Sequence, residues 1–353
     1  MIPVDQLAQN WPLPSAPKPI VIIGGGGIVN DAHLPAYRLV NLPVAGVYDL
    51  DNAKARALAD KWGIRAFSTL EEAIATSGAV YDLALPPSAH LKVLPNLPDG
   101  SAVLLQKPMG SDLAEASEIL KLCRAKNLKA AVNFQLRFSP MFLALKDAVD
   151  RGWLGDIVDV EVHLNLVTPW QLFPFLKGLP RIEIAVHSIH YLDAVRHFLG
   201  NPTGVHARSV GHPSTDLAQT RTSALIDFAP GQRVTFSINH NHDFGRKFQD
   251  ASFRIEGTDG AAMVKLGVLL DYPKGEPDEL WITRRGEDWT QVPLEGGWFP
   301  HAFRGTMSNL QRFAAGEDDR LVTSVEDAWY TMALAEAAFA SAAAPATPIE
   351  AKP

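Results

Sequence analysis

Glu183, His187 and His190 recur at helical spacing between Pro180 and Gly200. A helix there would place them, with Ala194, within roughly 60° of one another on one face. Ile189, Leu192, Val195 and Leu199 fall on the other side, which is the core face. Imidazole titrates near neutrality, so an acid–histidine–histidine stripe can take a proton from a hydroxyl group. The same three residues could hold zinc. However, no cysteine lies near them, and the other candidate ligands, His163, His240 and His242, are scattered. Proton transfer is the preferred reading and no metal is expected; two core histidines bonded to neighbours are the plainer alternative.

A second candidate is Lys107, in Leu104-Leu105-Gln106-Lys107-Pro108-Met109-Gly110, just past an apolar run of strand length. A lysine partly desolvated at a strand's carboxyl end has a lowered pKa and can relay a proton. A third is the run Gly24–Gly27, which follows the apolar Ile20–Ile23 and precedes a helix-compatible segment. Glycine lets the backbone approach a pyrophosphate, and the helix start offers free N–H groups. Asp49 closes the next apolar run, where a carboxylate would hold a ribose diol, and no arginine directly follows it, which favours NAD over NADP. Val29 occupies the third small-residue position of this fingerprint and is bulkier than the usual glycine or alanine.

These groups need elements to position them. Strand-like runs at 20–23, 44–48, 80–85, 102–105 and 130–134 alternate with helical segments at 32–40, 52–62, 70–76, 90–94 and 112–126, with Asn52 and Asp112 at N-cap positions. That rhythm predicts an α/β, Rossmann-type domain with a parallel sheet. After Ser139-Pro140 it changes. Strand-like runs at 157–167, 205–210, 223–228, 233–239, 251–256, 279–283 and 289–292 follow one another, with helices expected at 140–150, 184–199, 302–315 and 325–343. The expected architecture is a nucleotide-binding domain over 1–138, including an N-terminal extension. An α+β domain with a largely antiparallel open sheet follows over 139–353. The alanine-rich stretch Ala333–Ala346 is expected to fray into a disordered tail.

Composition narrows the function classes. With 353 residues, 47% hydrophobic and 20% charged, the chain resembles ordinary globular proteins and can hold two cores. A net charge of −7 without a basic block argues against nucleic acid and anionic membranes. One cysteine, Cys123, excludes an internal disulfide framework, and neither a signal peptide nor a spanning segment is evident. A cytoplasmic location is the expectation.

In order along the chain, these motifs resemble the glucose–fructose oxidoreductase, inositol dehydrogenase and rhizopine-catabolism (Gfo/Idh/MocA) family. Gly24 to Ala36, ending His33-Leu34-Pro35-Ala36, is similar to its glycine loop, and Leu85-Pro86-Pro87-Ser88-Ala89-His90 to its second nucleotide loop. Gln106-Lys107-Pro108 resembles its Glu-Lys-Pro signature, with glutamine in place of the glutamate. Asn133–Pro140 resembles the interdomain hinge. His190-Tyr191-Leu192-Asp193 with Arg196 and Gly200 resembles the helix bearing the catalytic histidine. In that register Val186 stands where the family often has aspartate, whereas registering His187 instead puts Glu183 there.

The resemblance implies an NAD-dependent dehydrogenase acting on a hydroxyl of a sugar, sugar acid or polyol, in a homodimer or homotetramer. Lys107 and His190, or His187, would be catalytic. Gly24, Gly26, Gly27, Ile28, Asp49, Pro86, Pro87, His90, Gln106, Lys107, Asn133 and Gln135 would hold the cofactor. Lys107, Gln135, Arg137, Trp170, Arg181, Glu183, His187 and His190 would face the substrate, with Trp298 and His301 as further wall residues. Alternatives are an NAD-retaining enzyme that cleaves glycosidic bonds by transient oxidation, a non-catalytic NAD-binding regulator, and a reductase of other carbonyls or imines.

Overall fold

Short apolar runs, buried on both faces, build the first sheet of this computed structural model, which describes residues 3–172, 176–271 and 274–350. The strands are β1 (Ile20–Ile23), β2 (Val44–Tyr48), β3 (Arg65–Ala66), β4 (Val80–Leu83), β5 (Ala102–Leu105) and β6 (Lys129–Val132). They are all parallel, in the order β3-β2-β1-β4-β5-β6. Strand order reverses between β1 and β4, so a crevice opens at their carboxyl ends.

Helices α1 (Leu34–Leu39), α2 (Asn52–Trp62), α3 (Leu70–Ile74), α4 (His90–Val93) and α5 (Leu113–Ala125) connect these strands. Asp51, rather than Asn52, caps α2 by accepting from the Ala53 and Lys54 N–H groups; Asp112 caps α5 from Glu115 N–H. The short β3 escaped the sequence reading.

Pro140 opens α6 (Pro140–Asp150). The second sheet comprises β7 (Ile157–Asn165), β8 (Gly204–Val210), β9 (Arg221–Asp227), β10 (Arg233–Asn239), β11 (Asp250–Gly257), β12 (Gly260–Lys265), β13 (Glu279–Arg284) and β14 (Thr290–Val292). Its order is β14-β13-β12-β11-β7-β10-β9-β8, antiparallel except for the β7–β10 pair. Strand alternation puts one face on the core with α6 and α7 (Ile189–Leu199) and leaves the other open, with Leu225 exposed. β12 was also unforeseen, because Gly260-Ala261-Ala262 lacks the branched residues that mark strands.

The last helices, α8 (His301–Ala315) and α9 (Val325–Ala343), return to the first sheet. Phe303, Met307 and Leu310 of α8 join one of its cores, and Val325, Ala328 and Met332 of α9 join the other. Conversely, Val4 and Leu7 of the N-terminal extension pack in the core of the second sheet. The strands thus divide near residue 138, whereas both chain ends cross over. The helix expected at 325–343 is present with those bounds, and the described residues after it are exposed. α9 runs to Ala343 and buries Leu334, Ala335, Ala338, Phe339 and Ala342, its small residues allowing close packing. Among the described residues no helix is long and apolar enough to cross a membrane.

A buried charge network ties the hinge to α7. Arg137 is 2% exposed and donates to both carboxylate oxygens of Asp193 at 2.6 Å and to Asp327 at 2.7 Å. Arg196 donates to Thr331 at 2.6 Å and Asp327 at 3.2 Å. Three elements are thereby held together at the joint between the sheets.

Candidate active site

At the end of β1 the chain must turn within touching distance of β4. Gly24 has φ +103°, and a Cβ there would lie 2.4 Å from the Ala84 carbonyl oxygen, so only glycine fits. A Cβ on Gly26 would meet nothing within 4 Å, which leaves that backbone facing open space. Val29 is accommodated by full burial, and a π turn over Val29–His33 precedes α1. Asp49 accepts from Gly25 N–H at 2.7 Å and from Asp51 N–H at 2.9 Å, with Lys54 at 3.4 Å. Burial raises the Asp49 pKa, but those N–H groups and Lys54 outweigh it and hold the carboxyl below its ordinary range. An open glycine turn, a helix start and an ionised acid together fit a dinucleotide.

Lys107 follows β5 into the same crevice. Its Nζ donates to the Val186 carbonyl oxygen at 2.9 Å, and desolvation lowers its pKa to about 8. The acceptor lies in a π turn, Ile184–Ser188, which joins Glu183 to α7. The expected continuous α-helix over 184–199 is thus corrected in its first turn, a local rewinding often found at functional sites. Gln106 accepts from the Asn133 amide at 3.1 Å. Asn133 in turn accepts from Thr306 at 3.0 Å. Beneath them His33 Nδ1 and the Tyr37 hydroxyl both meet Asp82 Oδ2 at 2.7 Å, fully buried.

The rewound turn still gathers the predicted stripe. The His187 ring lies 4.5 Å from the ring of His240, and Trp170 sits edge-on to both at 5.4 and 5.6 Å. Glu183 Oε1 accepts from the Ser188 hydroxyl at 2.7 Å and lies 3.4 Å from His240 Nε2. Thr168 Oγ1 fixes the far nitrogen of His240 at 2.8 Å. His190 packs edge-on against Trp298 at 5.4 Å. Desolvation, with Lys107 and for His187 also the neighbouring histidines, pushes both His187 and His190 well below the usual imidazole pKa. Both rings are therefore neutral at pH 7. Among the described residues, Trp170 Nε1, Glu183 Oε2, His187 Nδ1, His190 Nδ1 and His240 Nε2 are buried with no hydrogen-bond partner. So many open polar atoms in one place mark a chamber built for a polar guest.

Three expectations are corrected. Arg137 does not face the chamber, because Asp193 and Asp327 occupy its guanidinium. Arg181 is committed to Glu336 through two bonds of 2.8 and 2.7 Å and lies over the Phe339 ring. His90 faces inward, its Nδ1 on the Met109 carbonyl at 3.0 Å, and burial lowers its pKa to about 4. It fastens the Lys107 loop rather than lining the crevice. Pro86 and Pro87 stand at the turn leading into α4, and Ile28 precedes the π turn of the glycine loop. Gln135 is buried with its Oε1 unpartnered. His301 accepts from Gly297 N–H at 3.2 Å.

Thr168 was missed as a site residue, and His240, expected to be scattered, instead lies beside His187 and Glu183, because each follows a strand far along the chain and carries no local motif. His163 pairs in register with Ser237 on the opposite, open face of the sheet, away from His240.

Comparison with known proteins gives a consistent picture. A model described as the oxidoreductase family with NAD-binding Rossmann fold (GFO_IDH_MocA) matches residues 18–134. The GFO/IDH/MocA C-terminal domain matches residues 142–263. Over 150 residues the chain is 31% identical to glucose-6-phosphate 3-dehydrogenase of Bacillus subtilis, which covers 42% of each protein. Over 332 residues it is 23% identical to inositol 2-dehydrogenase of Rhizobium meliloti, covering 90% of this chain and 95% of the relative. Levoglucosan dehydrogenase, solved with NADH and levoglucosan, shares the fold with a TM-score of 0.78 and 18% identity, covering 93% of this chain and 98% of that one.

Proposed function

The chain belongs to the GFO/IDH/MocA oxidoreductase family, and on that premise we propose that it is an NAD-dependent dehydrogenase oxidising a hydroxyl of a sugar, sugar acid or polyol. The names of the glucose-6-phosphate and inositol dehydrogenases support that substrate class. The observation that carries the reading is the placement of Lys107, whose Nζ reaches from the cofactor crevice to the turn that leads into the two histidines.

Gly24, Gly26, Gly27 and Ile28 would hold the pyrophosphate and Asp49 the ribose. Pro86, Pro87, Gln106, Lys107, Asn133 and Gln135 would surround the nicotinamide end. When bound, nicotinamide supplies the acceptor for hydride from the carbinol carbon. A carboxylate at the ribose favours NAD, since it accepts from a diol and repels a phosphate in its place.

His190 acts as the base. It is neutral at pH 7, and its buried Nδ1 has no protein partner, so it can take a hydroxyl proton. His187, three residues earlier, is the alternative. The Lys107 ammonium donates to the reacting oxygen and offsets the negative charge that develops there. Glu183, Trp170 and Gln135 orient the remaining hydroxyls. The open face of the second sheet is the surface offered for a homodimer or homotetramer. Steady-state NADH formation with a panel of free sugars, inositols, sugar acids and sugar phosphates tests the proposal. The reading fails if no member of the panel reduces NAD.

A further inference from the structure

A histidine that takes a proton must hold its ring in one orientation, and a hydrogen-bonded acid commonly does this. His190 has none. Its Nδ1 is buried without a partner, and among the described residues no hydrogen bond or ion pair reaches its ring. The titratable groups beside it are Lys107, from the loop after β5, and His187, from its own turn. Neither is a carboxylate.

Among the described residues the ring that meets His190 is Trp298. The indole is 3% exposed and stands edge-on to the imidazole, at 86° with 5.4 Å between centroids. Its Nε1 is buried with no hydrogen-bond partner. A stranded donor costs stability that phenylalanine or leucine would spare, so packing of the core alone does not account for a tryptophan here.

The loop that carries Trp298, residues 293–300 between β14 and α8, is fastened at several points. Gln9 of the N-terminal extension donates to the Pro293 carbonyl and accepts from Glu295 N–H, both at 2.9 Å. Asp278 accepts from Trp298 N–H at 2.6 Å and, through its other oxygen, from Val268 N–H at 3.2 Å. A Cβ on Gly297 would lie 2.8 Å from the oxygen that meets Trp298, so glycine is what lets the carboxylate come so close. Val4 and Leu7 anchor the extension in the core of the second sheet, and Trp11 packs on Phe138 at the hinge. The extension carries no motif, yet it grips the loop beside His190.

We propose that Trp298 is the positioning residue for His190, and that Gln9 and Asp278 act through it by holding its loop. This role rests on the reading of His190 as the base and deepens it. Packing stands in for the missing hydrogen bond: the indole bars the imidazole from turning and keeps water from it.

Two measurements on the full chain test the role. One is the titration of His190, followed by NMR of isotope-labelled histidine and assigned with His190→Asn. The other is steady-state NADH formation from the compound that the wild type turns over fastest among sugars, sugar acids and polyols. Trp298→Leu should raise the pH at which His190 titrates by about half a unit or more, because water reaches the ring. It should also lower kcat by about 10–100-fold, well beyond any change in NADH affinity. Trp298→Phe, which restores a ring edge, should recover part of both. Gln9→Ala should move both in the same direction as Trp298→Leu but by less, and it carries the test if that variant does not fold. A His190 titration that stays in place in these variants, or a kcat loss no larger than the loss of NADH affinity, overturns the inference. A moved titration with kcat unchanged leaves the dehydrogenase standing and removes the role of Trp298 in it. Absence of NADH from every compound removes the dehydrogenase reading instead, and a moved titration then still supports the hold of Trp298 on the ring.

Discussion

The side chain of Lys107, just past β5, and the carbonyl of Val186, in the turn that leads into α7, are joined by a 2.9 Å hydrogen bond. Val186 occupies the position at which the family often places an aspartate when His190 is taken as the catalytic histidine. The ammonium is therefore held by a backbone oxygen rather than a carboxylate, and no side-chain charge opposes its desolvation. That explains why burial alone is enough to bring Lys107 down to about 8.

The pH dependence of catalysis follows. Lys107 acts as an ammonium donor, so kcat/KM should fall as pH rises through about 8. His190 acts as a neutral base with its pKa well below 6.5, so the acidic limb should lie at lower pH than an ordinary imidazole would give. In Lys107→Arg the alkaline limb should disappear from the accessible range, because guanidinium stays charged. An unchanged alkaline limb in that variant would assign it to another group.

Lys107 should also cost stability. Its folded pKa of about 8 lies below the ordinary 10.5. Below pH 8 the fold therefore carries the full penalty of the charged amine, and stability recovers as pH rises from 8 towards 10.5. Lys107→Met should stabilise the protein at pH 7 by about 2 kcal/mol or less, with the gain shrinking above pH 8. Urea unfolding at pH 7 and pH 10 checks both the sign and the trend.

The glycine loop separates folding from binding. Gly24→Ala forces a Cβ against the Ala84 carbonyl at a positive φ and should lower Tm together with NADH affinity. A Cβ on Gly26 meets no protein atom, so Gly26→Ala should keep Tm and still weaken NADH, by about tenfold, if phosphate occupies that space. Thermal melts paired with NADH fluorescence titration distinguish the two.

Arg137 holds the joint rather than the substrate. Arg137→Met leaves Asp193 buried without its main partner and should cost about 3–5 kcal/mol by urea denaturation. A variant with wild-type stability but a raised substrate KM would return Arg137 to the chamber.

Much of this was readable from the chain. The glycine loop, Asp49, Lys107 and the Glu183–His187–His190 stripe each sit within a few residues of a strand end or on one helix, so local spacing reveals them. His240 and Thr168 reach the chamber only because β7 and β10 are neighbours, and no local pattern encodes that pairing. Arg137 and Arg181 carry the right charge for a substrate anion, but their acidic partners, Asp193, Asp327 and Glu336, lie at long range or on other helices.

Side-by-side steady-state formation of NADH by the wild type and Lys107→Met, with NADH affinity measured for both, tests the central claim most directly. The wild type is expected to reduce NAD with at least one sugar, sugar acid or polyol. Lys107→Met should lose about 10²–10⁴-fold in kcat, well beyond any change in its NADH affinity. A wild type that reduces NAD with no compound, or a Lys107→Met enzyme that keeps the full rate, would contradict it.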